Sequence, residues 1–171
     1  MKQKEWPQAA LPPAGPEGAR PPEVANLLDR VGSLLHAGQP RQAFDLLAEA
    51  RSGSPWAATA TAVCLLRLGQ AGRAVELLRG RVLGAGGVCL RDDVPVVFKI
   101  NFATALLAAG NLAGGQRVLD EIREEPNPAV QKLRAALRRW RDGLSFWQKL
   151  RWSLGGEPSS PLVLDEALGE L

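Results

Sequence analysis

A chain of 171 residues, 46% hydrophobic and 23% charged, is long enough for one domain with a sizeable core. Its net charge of +3 is too small to indicate a polyanion partner by itself, and Ala and Leu dominate while Tyr is absent, which favours helices over sheets. Two cysteines and a single histidine exclude a disulfide framework and a zinc site of the usual ligand spacing.

The stretch 1–20 holds Pro7, Pro12, Pro13 and Pro16 among Ala, Gly and Gln. Proline removes amide donors, and few large apolar groups offset the cost of ordering, so a disordered arm is expected there. The run Met1–Trp6 lacks the apolar centre of a signal peptide, and no apolar run approaches the roughly 20 residues that span a bilayer. A cytoplasmic protein is the expectation.

Pro21-Pro22-Glu23 opens a first helix whose apolar residues Leu27, Leu28, Val31, Leu34 and Leu35 recur at helical spacing. Gly38-Gln39-Pro40 ends it and starts a second, with Ala43, Phe44, Leu47 and Ala50 on one face. Ser54 caps a third helix with Pro55 in its first turn, running to Leu68, and a fourth spans Ala71 to Val82. A Gly-rich insertion, residues 83–92, follows. It lacks the Lys-Ser/Thr of a P-loop and reads as a flexible connection. Asp92 or Asp93 is expected to cap a fifth helix over Val94–Ala109, and a sixth spans Leu112–Glu125.

One pattern recurs through these elements. A Gly is followed five residues later by a small residue and four after that by Leu: Gly38-Ala43-Leu47, Gly69-Ala74-Leu78 and Gly110-Gly115-Leu119. A Leu precedes each Gly by four: Leu34, Leu65 and Leu106. The Gly permits a tight turn, the small residue lets two helices approach, and the Leu residues fill the space between hairpins.

The unit resembles the tetratricopeptide repeat, over about Val24 to Asn127. The family's closing Pro matches Pro55, while its first-helix aromatics are replaced by Leu, and the Gly marks lie 31 and 41 residues apart, against a family period of about 34. The resemblance implies an all-α, right-handed solenoid of about three helical hairpins over residues 21–127. It also implies a concave face lined by the first helix of each hairpin, made of Leu28, Leu35, Trp56, Thr59, Val63, Leu66, Ile100, Asn101, Thr104 and Leu107, with Arg67 and His36 near its rim. The carboxylate clamp of the family's chaperone-tail binders has only Asn101 near the corresponding place, with no Lys beside it. A mostly apolar face suits an amphipathic helix or an extended apolar segment, and this chain's own Pro161–Leu164 is one such segment.

Asn127-Pro128 starts a long helix, expected to run to Leu154 with a bend at Gly143, and to close the solenoid. Leu133, Leu137, Trp140, Leu144, Trp147 and Leu154 form its apolar stripe. Residues 127–155 carry seven basic side chains and one acidic, whereas 156–171 carry four acidic and none basic, and 155–171 is read as an acidic flexible tail.

No arrangement for catalysis emerges. His36 has no Cys, Ser or second His at a useful spacing, and the adjacent pair Glu124-Glu125 points apart on a helix. The expected function is protein or peptide binding by an adaptor or assembly factor, without cofactor or metal. The alternative is a contact made by the basic Trp-bearing helix with an anionic membrane surface or, less favoured, with nucleic-acid phosphates.

Overall fold

The computed structural model describes residues 21–84, 86–123 and 127–153, together with Leu162 and Gly169. The expected arm at 1–20 and most of the stretch after Ser153 lie outside the described residues. Those described form eight helices: α1 (Pro22–His36), α2 (Pro40–Ala50), α3 (Pro55–Arg67), α4 (Ala71–Val82), α5 (Val96–Ala108), α6 (Leu112–Glu121), α7 (Pro128–Asp142) and α8 (Phe146–Ser153). The protein is all-helical among the described residues apart from one antiparallel bridge, Leu83 to Leu90.

The three Gly turns are one structure built three times. Gly38, Gly69 and Gly110 take φ values of +69°, +73° and +84°, a backbone region in which a side chain crowds the following carbonyl. At each, the residue after Gly donates its N–H to the carbonyl of the Leu that stands four before the Gly: Gln39 to Leu34 at 2.9 Å, Gln70 to Leu65 at 2.8 Å, Asn111 to Leu106 at 2.9 Å. The Gly itself donates to Leu35, Leu66 or Leu107. These paired bonds satisfy carbonyls that a helix end leaves open, and they fold the next helix back on the last.

The small residue beyond each turn is buried: Ala43, Ala74 and Gly115. Leu47, Leu78 and Leu119 follow them into the interior. Each helix from α1 to α7 packs on its neighbour in sequence, and α1 also touches α3, α3 touches α5 and α5 touches α7. Two apolar clusters result, one across α1–α3 and a larger one across α3–α7, with Trp56 and Phe44 packed on both.

Three local expectations are corrected. Neither Asp92 nor Asp93 caps the fifth helix. Pro95 occupies the cap position without a side-chain bond, and Asp93 is paired with Arg91. The Asp93 carboxyl is held below its usual range, chiefly by the hydrogen bond from Arg91 and in smaller part by the charges of Arg91 and Lys99. The insertion 83–91 is pinned at its base: Gly84 donates to Cys89, Arg91 to Val82, and Leu90 N–H to the Glu121 carboxylate at 2.9 Å.

The long last helix is two helices. Its register stops at Gly143, and Ser145 restarts it with a reciprocal cap. Gln148 N–H donates to the Ser145 hydroxyl, while Ser145 N–H donates to the Gln148 side-chain oxygen. Leu137 and Leu144 are buried and Trp140 is half-buried. Trp147, placed on the same stripe from sequence, is 75% exposed because the break turns α8 away from the packed face.

Candidate functional site

The site residues read from sequence come from α1, α3 and α5, the row of helices that touch one another through the middle of the fold. Two of these helices, α3 and α5, differ in kind from the amphipathic helices around them. Helix α2 is amphipathic, with Ala43 and Leu47 buried and charged residues outside, whereas α3 and α5 are apolar almost all round. Neither α3 nor α5 carries an acidic residue; α3 ends in Arg67 and α5 contains Lys99.

Nine of the eleven residues are buried: Leu28, Leu35, Thr59, Val63, Leu66, Ile100, Asn101, Thr104 and Leu107. Leu28, Leu35 and Val63 meet in the α1–α3 cluster, and Leu66, Ile100 and Leu107 in the larger one. Trp56 is half-buried between the clusters and sets its ring edge-on to Phe98, centroids 5.1 Å apart. Arg67 is half-buried and donates from Nη1 to the Leu35 carbonyl at 2.9 Å, tying the end of α3 to the end of α1. His36, beside it, is exposed.

Thr59 donates to the Pro55 carbonyl at 3.0 Å and Thr104 to that of Ile100 at 2.9 Å, so both hydroxyls bond within their own helices. Leu107 is committed elsewhere: its side chain fills the space over Gly115 and so lies between α5 and α6.

Two residues missed from sequence, Lys99 and Gly169, bear on this row, as does Leu162 of the Pro161–Leu164 segment singled out above. Lys99 is buried on α5 despite its charge. Its standing as the one charged residue in the apolar stretch 94–109 was the available signal. Leu162 packs against the larger cluster, and Gly169 lies directly on Val63. Gly169 had no sequence signal, since a Gly near an acidic stretch ordinarily marks only a turn.

Both thiols are free. Cys64 is buried, and that burial pushes its pKa up to about 11, against a smaller opposing effect from the Arg67 charge. Cys89 is exposed in the 83–91 loop. Among the described residues no three His, Cys, Asp or Glu side chains converge to hold a metal, and no helix is long and apolar enough to cross a membrane.

Away from this row, α8 shows its apolar side to solvent. Phe146 is 72% exposed and Leu150 41%, and the Phe146 and Trp147 rings meet edge-on, centroids 5.6 Å apart. Between α6 and α7 lies a cleft lined by Asp120, Arg134, Arg138, Trp140 and Arg141, in which Arg134 donates to the Leu119 carbonyl at 2.7 Å.

Comparison of the chain with protein-family profiles, with characterised proteins and with solved structures finds no match.

Proposed function

We propose that this chain is a protein-binding module of the tetratricopeptide kind, an adaptor or assembly factor that holds a peptide segment against the row α1, α3 and α5. The observation that supports this reading is the threefold repetition of one turn, with the same Gly conformation and the same pair of backbone bonds. A repeated hairpin sets every second helix side by side, so equivalent positions on those helices form one continuous strip. A strip built from α3 and α5 is apolar, free of acidic residues and carries Arg67 at one edge. Such a strip suits a segment that presents apolar side chains and negative charge.

A second reading rests on α8. Exposed Phe146, Trp147 and Leu150 beside Lys149 make a small aromatic patch with basic flanks, the composition of a contact with an anionic membrane surface.

Capture from lysate with the full chain as bait separates the two. If the α1–α3–α5 strip binds, a captured protein stays bound when salt rises from about 0.1 to about 0.5 M, because apolar contacts are little screened. The double variant Phe146→Ser/Trp147→Ser then captures the same protein. Loss of capture in that variant, or steep weakening with salt, transfers the function to α8.

A further inference from the structure

Val63, Gly32 and Thr104 are equivalent positions, each six residues before its turn glycine, on α3, α1 and α5. At Gly32 a Cβ would meet nothing within 4 Å, so on α1 this position opens onto free space, whereas Thr104 on α5 is buried. At Val63 the same position is fully buried. What meets the valine is Gly169: a Cβ built there would lie 2.9 and 3.0 Å from the two Val63 methyl carbons and 3.2 Å from its Cβ. Gly169 has a φ of +85°, so it presses bare backbone onto the valine in a conformation that side-chain-bearing residues avoid. Seven residues earlier, Leu162 is half-buried against the α3–α7 cluster.

The chemistry of the two sides matches. Residues 157–171 carry four acidic side chains and no basic one, and their sequence includes the apolar residues Leu162, Val163, Leu164, Ala167 and Leu168. Helices α3 and α5 present apolar residues with Arg67 and Lys99 and no acidic group.

We propose that the segment around Leu162 and Gly169 is the resident occupant of the α3–α5 strip, held in cis, and that a binding partner of like chemistry has to displace it. This rests on the reading of the strip as a peptide-binding surface. A tethered segment acts at an effective concentration of about millimolar, so it competes strongly with any partner in trans. The fit on Val63 also sets a requirement: the displacing segment has to present Gly, or equally bare backbone, at that point.

The test uses the full chain and a fluorescent synthetic peptide of residues 158–171. Gly169→Leu introduces a side chain where Val63 leaves no room, and Leu162→Asp removes the other anchor. Neither lies in a helix, so circular dichroism is expected to be unchanged. Both variants are expected to move the Val63 methyl resonances and to bind the peptide at least about tenfold more tightly than the wild-type chain, whose strip is occupied. Val63 methyls that stay in place in both variants, or variants that bind the peptide no better than wild type, overturn occupancy in cis. The binding strip itself fails separately, by a partner footprint that avoids α1, α3 and α5.

Discussion

Leu107 fills the volume that a side chain at Gly115 needs: a Cβ built on Gly115 would lie 2.5 Å from Leu107 Cδ2 and 2.6 Å from its Cγ. The small residue of the third hairpin is therefore small because α5 and α6 meet there with no space left, as Ala43 and Ala74, both without exposed surface, are in the first two.

Gly115→Ala is accordingly expected to destabilise the protein by about 1–3 kcal/mol, the usual cost of overpacking a filled core. Gly80→Ala is the contrast. It lies at an exposed position of α4, where a Cβ meets nothing within 4 Å, and it is expected to stabilise by about 0.5–1 kcal/mol through the restricted unfolded chain. Urea denaturation of the two variants measures both signs.

The second expectation concerns the turns. Gly69→Ala forces a side chain into a backbone at φ +73° and is expected to cost about 1–2 kcal/mol although open space surrounds it. A neutral result in urea denaturation shows that the turn relaxes without loss.

How much of this was legible follows from the range over which each feature acts. The turns were readable because Gly, the small residue and Leu recur at fixed short spacing, and the bonds from Gln39, Gln70 and Asn111 follow from that spacing alone. The break before α8 was readable in principle, since Ser145 and Gln148 stand three apart as a capping box requires, but the longer apolar stripe through Trp147 masked it. Asp93 was misread as a cap because its partner, Arg91, lies just outside the helix. Gly169 on Val63 joins residues about a hundred apart, and no periodicity reports a contact of that range.

The third expectation is a cap effect. Ser145→Ala is expected to lower the helicity of α8 and to cost about 1 kcal/mol locally. The check is faster amide exchange within α8, with α7 unchanged. Unaltered exchange in α8 assigns its start to packing rather than to the cap.

The fourth concerns the thiols. Cys89 is expected to react with a thiol reagent in the folded protein, and Cys64 only on unfolding. With its pKa raised from 9.0 to about 11 by burial, Cys64 keeps its proton in the folded chain at pH values where the unfolded chain has released it. The folded state then binds more protons, so Cys64 contributes a loss of stability as pH rises from about 9 toward 11. Thermal melts of wild type and Cys64→Ala across that interval measure it: the wild type falls more steeply. Parallel curves show that the thiol does not couple to folding.

The fifth concerns the loop. Glu121→Gln weakens the charge-assisted bond to Leu90 N–H, and Leu90 exchange is expected to rise several-fold while the melting temperature shifts little. Unchanged exchange at Leu90 assigns the anchoring to the Gly84 and Arg91 backbone bonds instead.

The central claim, that α1, α3 and α5 form the binding strip, is tested most directly by the hydrogen-exchange footprint of a captured partner on the full chain. The account predicts slowed exchange in α1, α3 and α5, including the amides around Val63, with α2, α4 and α8 unchanged. Protection confined to α8, with α1, α3 and α5 exchanging as in the free protein, contradicts it.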